Sequence, residues 1–124
     1  MDNKTYKEKL ITRAYAFSLT TIRLIADVRT RSYAVETISK QLIRSATSIG
    51  ANIVESQASP TRKDFSNFMN HALKSSNETR YWLALLRDTE PNVSERVKPL
   101  LAEATELSKI LGSTIKTLKM TKTI

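Results

Sequence analysis

His71 is the only histidine in the chain and there is no cysteine, so most metal and nucleophile chemistry has to be built, if at all, from carboxylates and hydroxyls. A di-iron carboxylate site in a helical bundle needs a Glu-x-x-His on each of two helices. Three residues before His71 stands Phe68, so that motif is absent. Zinc sites built on two histidines or on cysteine thiolates fail for the same reason. A haem held by one histidine would have to rest on His71, which lies among apolar helix positions and reads as a surface or partly packed residue. Serine is plentiful, but no motif orients one against a base. Gly50 and Gly112 form neither a G-x-x-x-x-G-K nor a G-x-G-x-x-G phosphate cradle. Glu55 and Glu78 remain as an acid/base pair in principle; beside so much arginine, a structural acceptor or ion-pair role is the simpler reading. The chain is expected to be neither an enzyme nor a metal or cofactor carrier.

The elements that must position these residues are helices. Apolar residues recur at steps of three and four through Tyr6, Leu10, Ala14, Phe17, Thr21, Leu24 (or Ile25) and Val28, one face of a first helix over residues 5–28. Residues 29–34 break the pattern and are read as a turn. It resumes through Val35, Ile38, Leu42, Ala46, Ile49 and Ile53 without interruption, so the serine-rich stretch RSATSIGANIVES (44–56) is read as helix. SQASPT (56–61) breaks the period again. There Ser59 before Pro60 is one possible cap, and Thr61 with Asp64 fits a capping box. A third helix follows with apolar positions Phe65, Phe68 (or Met69), Ala72, Leu73, Trp82, Leu83 and Leu86, interrupted by polar SSNE (75–78) and ended by Pro91. A fourth runs through Leu100, Leu101, Ala104, Leu107, Ile110 (or Leu111), Ile115 and Leu118. Asn92 with Glu95 fits its cap, but Pro99 would then lie inside the helix, so a turn or kink is expected at 95–98. The terminal MTKTI is expected to fray.

Four such rods with short connections give an all-α, antiparallel up-down-up-down four-helix bundle, read as a single domain over residues 1–124. A chain of 124 residues can bury roughly two-thirds of its unfolded surface without covalent staples. No apolar run reaches the length of a membrane span or a signal peptide. With no cysteine, the expectation is a cytoplasmic protein that has no membrane partner.

Two polar features stand out. Gln41, Ser45, Ser48, Asn52 and Glu55 follow one another at helical spacing beside the apolar stripe of the second helix, with Ala46 and Gly50 four apart. Serine, asparagine and glycine are weak helix formers, so a merely solvated face is a poor explanation. A polar seam joining helices or subunits, with Ser75, Asn77 and Glu78 opposite, is expected instead. The second feature is charge: 20 basic against 12 acidic residues, net +8. The cations read as spread along the chain: Arg13, Arg23, Arg29, Arg31, Arg44, Arg62, Lys63, then Lys109, Lys116 and Lys119, with no acid after Glu106. Such residues track phosphates without reading sequence. The candidate contacts are Arg13, Arg23, Arg44, Arg62, Lys63, Lys109, Lys116 and Lys119.

QLIRSATSIGANIVESQ (41–57), RKDFSNFMNHALKSSNETRYWLALLRD (62–88) and ELSKILGSTIKTLK (106–119) resemble the four-helix bundle proteins encoded in intervening sequences of bacterial 23S ribosomal RNA genes. The match rests on Ser48, Asn52 and Glu55 in S-I-x-x-N-I-x-E, Phe65 and Phe68 in D-F-x-x-F, and Ala72, Ser75 and Glu78 in A-x-x-S-x-x-E. Trp82 with Leu83 and Glu106 with Leu107 follow. The family pattern has Gly after the second-helix Glu, where this chain has Ser56, a departure that bears on how that helix ends. The resemblance implies a homopentamer with no enzymatic activity. A more distant relative, the accessory variability determinant of diversity-generating retroelements, is likewise a basic pentameric bundle that binds nucleic acid and a reverse transcriptase. Two functions are therefore expected to compete: a nucleic-acid-binding bundle acting on RNA or DNA, and an adaptor docking a protein such as a reverse transcriptase.

Overall fold

The structure is a computed structural model describing residues 3–122; Met1, Asp2, Thr123 and Ile124 lie outside the described residues. Four helices follow in order: α1 (Asn3–Ala26), α2 (Tyr33–Ser56), α3 (Arg62–Thr89) and α4 (Ser94–Lys122). There is no strand among the described residues. α2 is unbroken through the serine-rich stretch, with Ile49 and Ile53 buried.

The helix ends follow local chemistry. α2 begins two residues before Val35 because Ser32, in extended conformation, accepts the Val35 N–H through its side chain. Of the two caps offered at the next break, Thr61 is the one used. Its Oγ1 accepts the Asp64 N–H at 3.1 Å and donates to Asp64 Oδ2 at 2.7 Å, while Ser59 Oγ is buried without a partner among the described residues. At Ser56, where a left-handed glycine cap would fit, the chain stays right-handed. Gln57 has φ −68°, the Ser56 hydroxyl donates to Ile53 O, and three successive N–H groups fold back onto Val54, Glu55 and Ser56 carbonyls. Serine suffices where no positive φ is needed.

The turn lies earlier than the 95–98 expected for a turn or kink: residues 91–93 form it. α4 starts at Ser94 and carries Pro99 within it. Val93 O accepts both the Arg96 and Val97 N–H groups, which sets the first turn, and Val93, Val97 and Leu100 are buried. Burying that stripe offsets the one helical bond that proline cannot donate. At the other terminus α4 is described as far as Lys122, and the last two residues of the segment expected to fray, Thr123 and Ile124, lie outside the described residues.

Consecutive helices run antiparallel, as the cross-helix contacts show. Ser18 bonds Ala46 O while Ala14 lies against Gly50; Ser45 pairs with Thr79 and Ser48 with Ser75; Arg13 reaches Glu103 while Asp27 reaches Arg96. In each pair, one residue number rises as the other falls. All four helices contribute to one buried apolar cluster, centred on residues such as Leu24, Leu42, Ile49, Met69, Leu83 and Leu107. The buried stripe of α3 is Met69, Ala72, Ser76, Thr79, Leu83 and Leu86, so the polar interruption expected at 75–78 contributes Ser76 to the core face while Asn77 and Glu78 stay exposed. Tyr6, placed on the core stripe of α1 by its spacing, is instead 45% exposed.

Candidate nucleic-acid interface

The antiparallel order brings the start of α1, the end of α2, the start of α3 and the end of α4 to one end of the bundle. There Arg62 and Lys63, in the first turn of α3, face Lys119 of α4 across a cleft of about 330 Å³ that also holds Ser66, Asn67 and Leu118. Lys63, Lys119 and Lys116 are exposed and form no ion pair among the described residues. The opposite end differs. Arg87 pairs with Asp88, Arg96 with Asp27 and Lys98 with Glu95, while Arg29 and Arg31, in the connection between α1 and α2, are exposed and form no ion pair among the described residues.

Leu118 also borders a second, larger cleft, of about 500 Å³, between the N-terminal part of α1 and the C-terminal part of α4. Leu10, Ile53 and Met69 contribute its buried apolar lining, Tyr6 and Phe65 add aromatic rings, and Lys7 Nζ lies 5.8 Å from the centre of the Phe65 ring. Sequence spacing gave no sign of this cleft, since it assigns Tyr6 and Phe65 to the core. Phe65 does pack against the core while partly buried, whereas Tyr6 is exposed at the rim of the cleft.

The remaining cations predicted from sequence are not on one surface. Arg13 is tied to Glu103 by two hydrogen bonds, Nε to Oε2 at 3.0 Å and Nη2 to Oε1 at 2.6 Å. That bond, chiefly, holds the Arg13 pKa above its usual value. Lys109 Nζ is 3.6 Å from Glu106. Arg23 is exposed in the last turn of α1, and Arg44 is exposed midway along α2. The bundle thus gathers Arg62, Lys63 and Lys119, with Lys116 one turn away, and separates Arg13, Arg23, Arg44 and Lys109 from them.

The polar residues of α2 divide between two neighbours. Ser45 and Ser48 meet Thr79 and Ser75 of α3, each pair at 2.9 Å, and Asn52 donates to Ser48 Oγ at 3.0 Å. On the far side of α3, Ser76 and Asn77 bond Ser108 of α4 at 2.7 and 3.1 Å. Gly50 and Glu55 face α1 instead, lining a groove of about 380 Å³ with Ile11, Tyr15 and Val54. Glu78 accepts the Trp82 indole N–H at 2.9 Å on the exposed side of α3.

This register separates the two carboxylates. Thr79, next to Glu78, opposes Ser45, ten residues before Glu55 and therefore roughly 15 Å away along the axis. His71 is exposed on α3, and no three His, Cys, Asp or Glu among the described residues come together to hold a metal ion. Nor, among the described residues, is any helix long and apolar enough to cross a membrane.

Helix order, hydroxyl layer and basic end together define a basic antiparallel four-helix bundle. The chain belongs to the family of 23S rRNA-intervening sequence proteins, whose pattern matches residues 7–113. It is similar to a protein of unknown function from the S23 ribosomal protein family of Bacteroides thetaiotaomicron, solved by crystallography. The two share 36% identity over 89% of this chain and 97% of that one, with a TM-score of 0.78. No curated protein matches the chain.

Proposed function

We propose that the chain is a non-catalytic, cytoplasmic, homo-oligomeric bundle that binds RNA through phosphate contacts at its basic end. The observation that carries this reading is the convergence of Arg62, Lys63 and Lys119 on one cleft, with Lys116 beside it. A net charge of +8 attracts a polyanion over about a Debye length, roughly 8 Å at physiological salt. Lysine and arginine side chains held on rigid helix ends then neutralise successive phosphates.

Self-association is supported by a different surface. Tyr15 is 68% exposed and Val54 54%, on either side of the groove at Gly50, and large apolar side chains in such numbers on one helix pair favour a protein contact. The family resemblance implies a pentamer. Repeating the basic end around a ring would multiply its phosphate contacts by mass action.

The test is RNA binding as a function of salt, with the oligomeric state followed by light scattering. Four phosphate contacts on a single strand correspond to a slope of about −3 in log K against log salt, or roughly 50-fold weaker binding at 200 than at 50 mM. A slope near zero would sink the phosphate-tracking reading. Loss of the basic-end cations with no change in RNA affinity would favour an adaptor for a protein partner.

A further inference from the structure

We infer that the cleft between α1 and α4 receives an unstacked base of single-stranded RNA, which lies against Tyr6 and Phe65 while the adjoining phosphates run onto Arg62, Lys63 and Lys119. This rests on the RNA-binding reading above and specifies the form of RNA and the site. Three observations support it. The cleft, about 500 Å³, falls within the usual range for small-ligand pockets, about 300–1,000 Å³. Its apolar lining at Leu10, Ile53 and Met69 is joined by two aromatic rings, and Tyr6 is half exposed with its ring within reach of an incoming ligand. Lys7 Nζ lies over the Phe65 ring, 5.8 Å from its centre, and so places a cation beside the exposed Tyr6 ring, which is the aromatic surface open to a base.

The occupant follows from charge and continuity. An apolar cleft with aromatic walls takes a flat ring; a basic rim takes an anion. Leu118 lines both this cleft and the basic one, so the two form adjacent compartments on one surface. A nucleotide strand has the matching order, a π-face carried on a chain of phosphates. Paired bases in an A-form duplex are already stacked on both faces, so only single-stranded, looped or bulged RNA can supply one.

The experiment compares the full chain and its variants on a 12-nucleotide single-stranded RNA and on the duplex of the same length, titrated with salt. Base stacking on an aromatic side chain is worth about 1–3 kcal/mol by truncation, which corresponds to roughly 5- to 150-fold in affinity. Tyr6→Leu is therefore expected to weaken single-strand binding by that factor without changing its salt slope, and Tyr6→Phe to retain it. Lys63→Gln with Lys119→Gln is expected to reduce the slope by about 1.4. Circular dichroism of each variant establishes that the bundle is intact. Equal affinity for strand and duplex, with Tyr6→Leu indistinguishable from wild type, would overturn the base-binding cleft and leave phosphate tracking standing. Absence of salt-dependent binding to either form would overturn both.

Discussion

Thr79 Oγ1 stands 2.9 Å from Ser45 Oγ where α3 crosses α2, with Thr79 fully buried and Ser45 nearly so. Two further hydroxyl pairs, Ser48 with Ser75 and Ser76 with Ser108, continue this layer from α2 through α3 to α4. Hydroxyls within hydrogen-bonding distance oppose each other in one register only; sliding either helix by a turn would break these cross-helix bonds, worth about 0.5–1.5 kcal/mol each, and leave Ser45, Ser76 and Thr79 only their bonds to Leu42 O, Leu73 O and Ser75 O of their own helices. The layer therefore fixes alignment as well as adding stability. Thr79→Val, which preserves shape, removes Ser45's partner on α3 and is expected to lower unfolding free energy by about 1–2 kcal/mol. Adding Ser45→Ala should recover part of that loss. A denaturant-unfolding double-mutant cycle measures the coupling, and strictly additive effects would show that the two hydroxyls act independently.

Much of the fold is legible from apolar period alone, and each departure from it has its own physical reason. In α3 the stripe Met69, Ala72, Leu83, Leu86 is continuous only when Ser76 and Thr79 are admitted to it. A reading based on hydrophobicity sees a gap there, because a hydroxyl satisfied by a neighbouring helix is indistinguishable in sequence from one satisfied by water. Tyr6 shows the converse: its spacing is right for the core, but it lines an open cleft beside Thr114, Thr117 and Leu118 and stays 45% exposed. The basic end was hidden for a topological reason. Lys63 and Lys119 are distant in sequence and meet because α3 starts where α4 finishes, so a linear scan saw cations spread along the chain.

The start of α3 allows two neighbouring residues to be separated experimentally. Thr61 caps the helix through its bond with the Asp64 N–H, whereas Ser59 Oγ is buried with no partner among the described residues. Thr61→Ala is expected to cost about 1 kcal/mol, the usual value of a lost cap. Ser59→Ala removes an unsatisfied polar atom and is expected to be neutral or stabilising by up to about 1 kcal/mol. Thermal melts of the two variants compare them directly; a larger loss at Ser59 would assign the cap to the wrong residue.

Arg13 and Glu103 join α1 to α4 through a two-pronged ion pair whose side chains are 41% and 30% exposed. The fork geometry favours the pair, while solvent screening limits it. A coupling energy of about 0.5–1 kcal/mol is expected from the cycle Arg13→Met, Glu103→Gln, and it should shrink in high salt. Coupling unchanged by salt would mean that packing of the arginine stem, and not charge, joins these helices.

Pro99 lies within α4 and is exposed, so substituting it leaves the core untouched. Pro99→Ala restores the missing N–H, which can then bond Glu95 O, and is expected to stabilise the bundle by about 1–3 kcal/mol. Hydrogen exchange at the residues following Ser94 should slow in parallel. A destabilised variant would instead show that the proline's fixed φ sets the entry of the chain into α4.

Gly50 faces α1, and a Cβ built on it would lie 3.5 Å from Ala14 Cβ, an ordinary van der Waals contact. Close approach within one chain therefore does not require glycine here, and Gly50→Ala is expected to stabilise the monomer by about 0.5–1 kcal/mol through helix propensity. The groove that Gly50 shares with Tyr15 and Val54 is the surface proposed for self-association. If a neighbouring subunit seats there, Val54→Arg, at an exposed position on the same groove, should abolish assembly in light scattering while circular dichroism still reports a folded bundle. Assembly that survives Val54→Arg would move the subunit contact to another face of the bundle.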